Sequence, residues 1–268
     1  MAETAPFLSI SNATAGYGRE PVLHEVGVEL RPGEILAVAG PNGSGKSSLL
    51  KLALGHLKAR TGEVAWFGRP LVNWSRRELA RRVAYLPQAP TTLPGQAVLD
   101  VLASGRAPYW GAFGVESQAD RLAATEAAEL LGLTDWLRRD VATLSGGQRQ
   151  RVFIARCVAQ TLDPASRSRD GAILLDEPDT YLDLRHVAEL ARVLRDLAHQ
   201  HRLGILLASH DLNFAAGVAD RVALLAGGRV RATGPAAEVL TPASIQSIYE
   251  TQVDVLQRDG RTFVIPTR

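Results

Sequence analysis

The chain has 268 residues, 46% of them apolar and 22% charged, with 30 basic against 28 acidic side chains and a formal net charge of +2. That length predicts one or two domains with a sizeable core, and the composition excludes disorder as the dominant state. The near-balance of charge offers no broad field for nucleic acid, and no apolar run approaches the ~18–20 residues of a bilayer span.

In chain order, residues 7–30 read as short alternating strands broken by Gly16 and Gly18, with a Pro32-Gly33 turn after them. Ile35-Leu36-Ala37-Val38-Ala39 is a continuous apolar run, the pattern of a strand buried on both faces. A Gly-rich loop follows, then a helix from Lys46 to Gly55, and strands at Val64 to Phe67 and Val83 to Leu86. Residues of about 95–160 are mostly helical: Leu122, Glu126, Glu129 and Leu130 lie on one helix-forming stretch, and Val152, Ala155, Val158 and Leu162 recur at helical spacing on another. A polar linker, Asp163 to Gly171, leads to a second buried strand at Ile173 to Leu175. Leu184, Val187, Leu190, Leu194 and Leu197 mark an amphipathic helix. Ile205 to Ala208 and Val222 to Leu225 repeat the buried-strand pattern. Strands alternating with helices predict an α/β core around a parallel sheet, carrying a helical insertion.

Single residue types narrow the possibilities further. One cysteine, Cys157, excludes an internal disulfide and a Cys-based metal site. Met1 to Pro6 shows no basic stretch followed by an apolar run, so a cleaved signal peptide is not expected. His24, His56, His186, His199 and His201 fall in no metal-ligand spacing, and His199 and His201 read as solvated. Arg76, Arg77, Arg81 and Arg82 form a basic cluster, either an exposed helix face or part of an interface. The 30 basic residues comprise 27 Arg and three Lys, and the lysines all lie within 46–58.

Gly40-Pro41-Asn42-Gly43-Ser44-Gly45-Lys46-Ser47-Ser48 fits the P-loop pattern between a strand and a helix. The glycines let backbone N–H groups turn inward, and the helix points its positive end at the same place, which makes an anion cradle for nucleotide phosphates. Lys46 would reach the β- and γ-phosphates, and the Ser47 hydroxyl could ligate Mg²⁺. Asp176-Glu177 ends the apolar run at 173–175. In a P-loop fold that is where a second Mg²⁺ contact sits, here Asp176, and Glu177 could polarise an attacking water. Leu144-Ser145-Gly146-Gly147-Gln148 opens a helix, with Ser145 as N-cap and bare amides on the glycines. It reads as a helix cap or as a second phosphate-binding helix end, and one nucleotide in one monomer does not need two.

The P-loop, Leu144 to Gln148 and Leu175-Asp176-Glu177-Pro178, in that order and spacing along the chain, resemble an ATP-binding cassette (ABC) ATPase over essentially the whole chain. The resemblance implies a P-loop NTPase core with a parallel sheet, an N-terminal antiparallel β subdomain and an inserted helical subdomain at about 90–160, all within one nucleotide-binding domain, 1–268. It implies ATP and Mg²⁺ as ligands and two copies facing head to tail, each ATP lying between one P-loop and the partner's Ser145 to Gln148. Tyr17 resembles the aromatic stacking on adenine, Gln88 the glutamine that contacts Mg²⁺ and senses the membrane partner, and His210 the switch histidine at the γ-phosphate. Asp183 matches the aspartate of the loop crossing the dimer interface. The chain departs from the family at Asp179 and Tyr181, which stand where Thr and Ala are commoner.

A lone cassette with no fused membrane domain resembles bacterial importers, which dock beneath separate polytopic permease subunits at the cytoplasmic face of the inner membrane and receive solute from an extracytoplasmic binding protein. Gly105-Arg106-Ala107-Pro108 and the tail, His210-Asp211-Leu212-Asn213, Glu238 to Pro242, Ile248-Tyr249 and Val264-Ile265-Pro266, resemble the group importing iron-siderophore complexes, haem and cobalamin. Siderophore complexes stand first, with haem and cobalamin next; the long 163–171 linker resembles some haem-import ATPases. The competing expectations are an exporter ATPase, which these segments disfavour, and a soluble cassette acting on nucleic acid or ribosomes, which would show two cassettes or a coiled-coil insertion. A small-molecule kinase would lack Ser145 to Gln148.

Overall fold

The computed structural model describes residues 5–91, 94–111, 114–162, 170–180 and 182–267. The chain opens with β1 (Leu8–Ala15) and β2 (Leu23–Leu30), antiparallel neighbours that each bury alternate residues. After β3 (Ile35–Ala39) and α1 (Lys46–Ala53) come β4 (Ala59–Trp66) and β5 (Arg69–Pro70). Together β2-β1-β4-β5 form an antiparallel sheet. The strand expected at Val64 to Phe67 begins five residues earlier, because 59–63 continue the ladder along β1; Phe67 leaves it at φ 51°, in the turn to β5.

Next come α2 (Arg76–Ala80), β6 (Val83–Leu86) and three helices, α3 (Val98–Ser104), α4 (Gln118–Leu130) and α5 (Gly146–Thr161), which pack on one another. A Cβ at Gly105 would come within 2.4 Å of the Arg156 carbonyl, so the absent side chain sets how closely the end of α3 approaches α5. Then follow β7 (Ala172–Asp176), α6 (Leu184–His199), β8 (Gly204–Ser209), α7 (Leu212–Val218), β9 (Arg221–Ala226) and β10 (Arg229–Gly234). The central sheet has the order β10-β9-β3-β8-β7-β6, parallel except for β10. Its β3, β7 and β8 are buried along their whole length. Side chains alternate between two cores, as the pleat requires. Leu36, Val38, Leu174 and Leu206 face the antiparallel sheet and α1. Ile35, Ala37, Ile173 and Ile205 face the helical side. The chain closes with α8 (Ala236–Val239), α9 (Pro242–Tyr249) and a hairpin, β11 (Val253–Arg258) and β12 (Arg261–Pro266). Asn213 of α7 pins the hairpin, its Nδ2 donating to the Val264 carbonyl (3.1 Å) and its Oδ1 accepting from the Val264 N–H (2.8 Å).

One sequence expectation changes. Leu184, counted on the apolar stripe of α6, is 86% exposed; the helix buries Leu190, Leu194, Leu197 and Ala198, and its first turn runs beyond the core. Of the arginine cluster, Arg76, Arg77 and Arg81 are exposed, as a helix face would be, and Arg82 is half-buried. Arg77 and Arg81 donate to the Pro108 carbonyl at 2.8 and 3.1 Å, and Arg82 lies 3.5 Å from the centre of the Phe67 ring. His199 is exposed, as expected, and also bonds the Asp220 carboxylate at 3.0 Å. Cys157 is fully buried, and burial pushes its thiol up to about 11, away from reactivity. Most of the linker, 163–169, and Tyr181 lie outside the described residues.

Candidate nucleotide site

Four adjacent parallel strands, β6, β7, β8 and β3, end on the same side of the sheet. The residues that follow them are Gln88, Glu177, His210 and the loop from Gly40, so the candidate groups converge where open α/β sheets bind ligands. Gly40 has no room for a side chain: a Cβ would fall 2.1 Å from the Leu225 carbonyl oxygen and 2.8 Å from Ser44 Oγ. Gly43 and Gly45 take φ of +77° and +107°, backbone that favours glycine. Pro41 and Gly45 are half-buried, Asn42 and Gly43 are exposed, and Ser48 lies partly buried in the first turn of α1. That helix begins without a side-chain cap, leaving its first N–H groups open to an anion.

Lys46 is 5% exposed, and its Nζ donates to the carbonyls of Gly40 (2.9 Å) and Pro41 (3.1 Å). Burial pulls its ammonium below the ordinary lysine range, while Glu177, Asp176 and Asp179 pull it back up. Ser44 Oγ is buried in the same loop with no partner. A buried cation, an unpartnered hydroxyl and an uncapped helix start fit a phosphate group.

Ser47 Oγ donates to Asp176 Oδ1 at 2.9 Å, and the Tyr85 hydroxyl donates to Asp176 Oδ2 at 3.2 Å. Burial raises the Asp176 carboxyl, and these two bonds oppose it. Burial likewise pushes the Tyr85 hydroxyl up, with Asp176 adding to the effect. A carboxylate and a hydroxyl side by side are the oxygen donors a hard cation such as Mg²⁺ takes, so the residues present fit that ion. Glu177 sits at φ 49°, and its side chain, 13% exposed, gathers the remaining groups. Oε1 lies 3.9 Å from Lys46 Nζ. Oε2 accepts from Gln88 Nε2 (2.8 Å) and Thr180 Oγ1 (3.4 Å), and is 3.3 Å from His210 Nδ1. Gln88 therefore has its amide nitrogen on Glu177, beside the Ser47–Asp176 pair rather than on it.

Tyr17 is half-exposed at the edge of this cluster, with Lys51 Nζ 5.8 Å from its ring centre. Ser145 to Gln148 stand apart. The Gln148 N–H donates to Ser145 Oγ (3.3 Å), and Gln148 Oε1 accepts from the Ser145 N–H (3.0 Å), a reciprocal cap at the start of α5. Gly146 has open space around it, whereas a Cβ on Gly147 would fall 2.1 Å from His186 Cδ2. Asp183 caps α6 through the His186 N–H (2.9 Å) and also bonds His186 Nδ1 (2.7 Å). Hydrogen bonds within Asp183's own turn hold its carboxyl below the usual carboxylate range, chiefly the bond from the His186 backbone. Among the described residues no hydrogen bond or ion pair joins Ser145, Gly146, Gly147, Gln148 or Asp183 to the Lys46 cluster.

Several groups were not anticipated. Tyr85 reaches Asp176 across neighbouring strands, and Gln150 of α5 donates to the Pro178 carbonyl (2.9 Å). Asp179 is buried beneath Ser209, whose Oγ donates to it at 3.0 Å. The only local sign was that Asp stands where the resembling family has Thr. Arg106, read as a mark of an importer group, is 2% exposed and bonds Asp120 Oδ1 (3.1 Å) and the Ala159 carbonyl (2.8 Å).

Known proteins resemble this chain over most of its length. The family model described as ABC transporter matches residues 23–180. A relative named hemin import ATP-binding protein HmuV from Thermobifida fusca is 39% identical over 97% of this chain and 89% of its own length. The protein of that name from Streptomyces coelicolor is 41% identical over 94% and 86%. Among solved structures, a chain of an inward-facing ABC transporter, provisionally assigned to the metal-chelate type, superposes with a TM-score of 0.81 at 27% identity, covering 98% of both chains. The ADP-bound cassette MJ1267 superposes at 0.80 with 23% identity, a likeness of fold. Matched by that model over more than half its length, this chain belongs to the ABC transporter family, as an ATPase coupled to transport.

Proposed function

We propose that the chain is the ATP-hydrolysing subunit of a bacterial haem importer. The observation that carries the choice of solute is that relatives 39–41% identical over at least 94% of the chain are hemin import proteins. This reverses the order reached from the sequence, which placed siderophore complexes first. Residues 1–268 act as one nucleotide-binding domain, with about 90–160 as its helical subdomain.

In this reading Tyr17 stacks on adenine, and Gly40 to Ser48 wrap the phosphates, with Lys46 released from the Gly40 and Pro41 carbonyls to phosphate oxygens. Ser47 and Asp176, with Gln88 next to them, would hold Mg²⁺, which when bound offsets phosphate charge. Glu177 polarises the attacking water; the groups on its Oε2, Gln88 and His210 among them, fix its orientation. Ser145, Gly146, Gly147, Gln148 and Asp183 serve a second copy's nucleotide, since within one chain they do not meet Lys46. Leu184, exposed beside Asp183, supports a protein surface there. Among the described residues no helix is long and apolar enough to cross a membrane. In this reading the chain works at the cytoplasmic face of the inner membrane, held by two permease subunits and indirectly served by an extracytoplasmic binding protein, with no role for nucleic acid.

The test is uptake in a host lacking its own haem importer, supplied with this chain, the permease and the binding protein encoded beside it. Haem uptake that is lost in Lys46→Ala is expected. Uptake of ferric siderophore or cobalamin in place of haem would overturn the solute. Parental ATP hydrolysis by Lys46→Ala would overturn the whole reading.

A further inference from the structure

Asp179 has no part in the phosphate binding or water activation proposed above. It is 9% exposed; its Oδ2 accepts from Ser209 Oγ (3.0 Å), while Oδ1 is buried with no partner. Ser209 Oγ in turn accepts from the Asp211 N–H at 3.0 Å. His210 lies between those two residues, and its Nδ1 stands 3.3 Å from Glu177 Oε2. The segment after β7 is thus tied to Ser209 at the end of β8, and Ser209 in turn holds the residue that follows His210. A threonine hydroxyl, the commoner group at this position, sits one bond closer to the backbone and would reach less far toward Ser209. A carboxylate here is costly to bury, and burial raises its carboxyl accordingly, although His210 and Lys46 both attract its charge. Such a cost is expected where a group holds something else in place.

We propose that Asp179 is a positioning residue for hydrolysis: through Ser209 it fixes the loop that carries His210, and with it the placement of His210 against Glu177. The inference rests on the reading of Glu177 and His210 as hydrolytic groups. It is tested by steady-state ATP hydrolysis of the full chain. Asp179→Ala and Ser209→Ala should each lower kcat about tenfold, the worth of one charged hydrogen bond, with KM for ATP within about twofold of the parent because the Lys46 cradle is intact. Asp179→Asn should regain most of the loss, since its amide oxygen can still accept from Ser209. In a His210→Ala background, Asp179→Ala should cost nothing further.

Parental kcat in Asp179→Ala, or an equal fall in the His210→Ala background, overturns the proposal. Should Asp179→Ala fail to fold, Ser209→Ala carries the same test, and parental kcat there overturns the proposal equally. Failure of the functional reading is separate: it would appear as parental hydrolysis in Lys46→Ala, whatever the Asp179 variants do.

Discussion

Removing the Arg106 guanidinium should unfold the helical part of the molecule first, and the structure sets the size of the effect. Nε donates to Asp120 Oδ1 (3.1 Å), and Nη1 donates to the carbonyls of Ala159 (2.8 Å) and Leu162. Cζ lies 3.5 Å from the centre of the Tyr109 ring. One side chain therefore joins the ends of α3 and α5 to the first turn of α4. Arg106→Ala leaves a buried carboxylate and two carbonyls without this donor, a loss of about 3–5 kcal/mol. For a chain of this size that is a fall in Tm of roughly 10 °C. Burial pushes the Asp120 carboxyl up, but Ser117 and Arg106 outweigh it and hold it below its ordinary value. A depressed folded value gives stability that is present above the unfolded pKa of about 4 and is lost as pH falls through the folded one. The gap between parent and Arg106→Ala should therefore narrow in acid. Replacing both charges, as Arg106→Met with Asp120→Asn, should recover more than half of the loss, because the uncompensated charge has gone. Urea and thermal denaturation across pH 3–8 measure this. A single variant within about 1 kcal/mol of the parent at pH 7 would refute the reasoning.

Three further outcomes follow from the nucleotide site. Glu177→Gln should bind ATP but hydrolyse it about a hundredfold more slowly or worse, and gel filtration with ATP should show it accumulating as a dimer; parental turnover would remove Glu177 from the chemistry. Lys46→Arg should fold yet lose hydrolysis, because a planar guanidinium does not fit where one ammonium meets two carbonyls 2.9 and 3.1 Å away; fluorescent nucleotide binding checks it. Gly147→Ala would set a Cβ 2.1 Å from His186 Cδ2, so the start of α5 must shift. Its hydrolysis should fall severalfold while ATP binding to the isolated chain stays near parental, read by turnover against nucleotide affinity.

What was legible in the sequence was what local chemistry forces. Three strands buried on both faces must be continuous apolar runs, and β3, β7 and β8 are. A phosphate cradle needs its glycines, lysine and serine at adjacent positions, so Gly40 to Ser48 announced itself. Contacts between distant segments left no such mark. Tyr85 and Asp176 meet only because β6 and β7 are neighbours, and nothing near Tyr85 says so. Arg77 and Arg81 lie on an exposed face as read, but their shared acceptor, the Pro108 carbonyl, lies 27 or more residues away and left no mark in the sequence. Leu184 kept the helical spacing of its stripe, but spacing cannot tell where the core ends along a helix.

The scarcity of lysine now has a physical reading at two of its three positions. An ammonium is a compact donor that turns freely on a flexible stem, whereas a guanidinium is a fixed plane with five donors. At 46 the cation must pass among backbone carbonyls of a tight loop and hold a carboxylate 3.9 Å away, which suits the point charge. At 51, one turn and a half along the same helix, the ammonium lies over the exposed Tyr17 ring and opposes the upward pull of burial on the Asp176 carboxyl. Arginine serves elsewhere, where planar pairing or stacking is wanted: Arg106 on Tyr109, Arg82 on Phe67, Arg221 on Glu34. The division follows the geometry each site presents. In a chain whose other basic residues are almost all arginine, Lys46 stands where a fork of nitrogens would leave donors unsatisfied in a loop shaped for one.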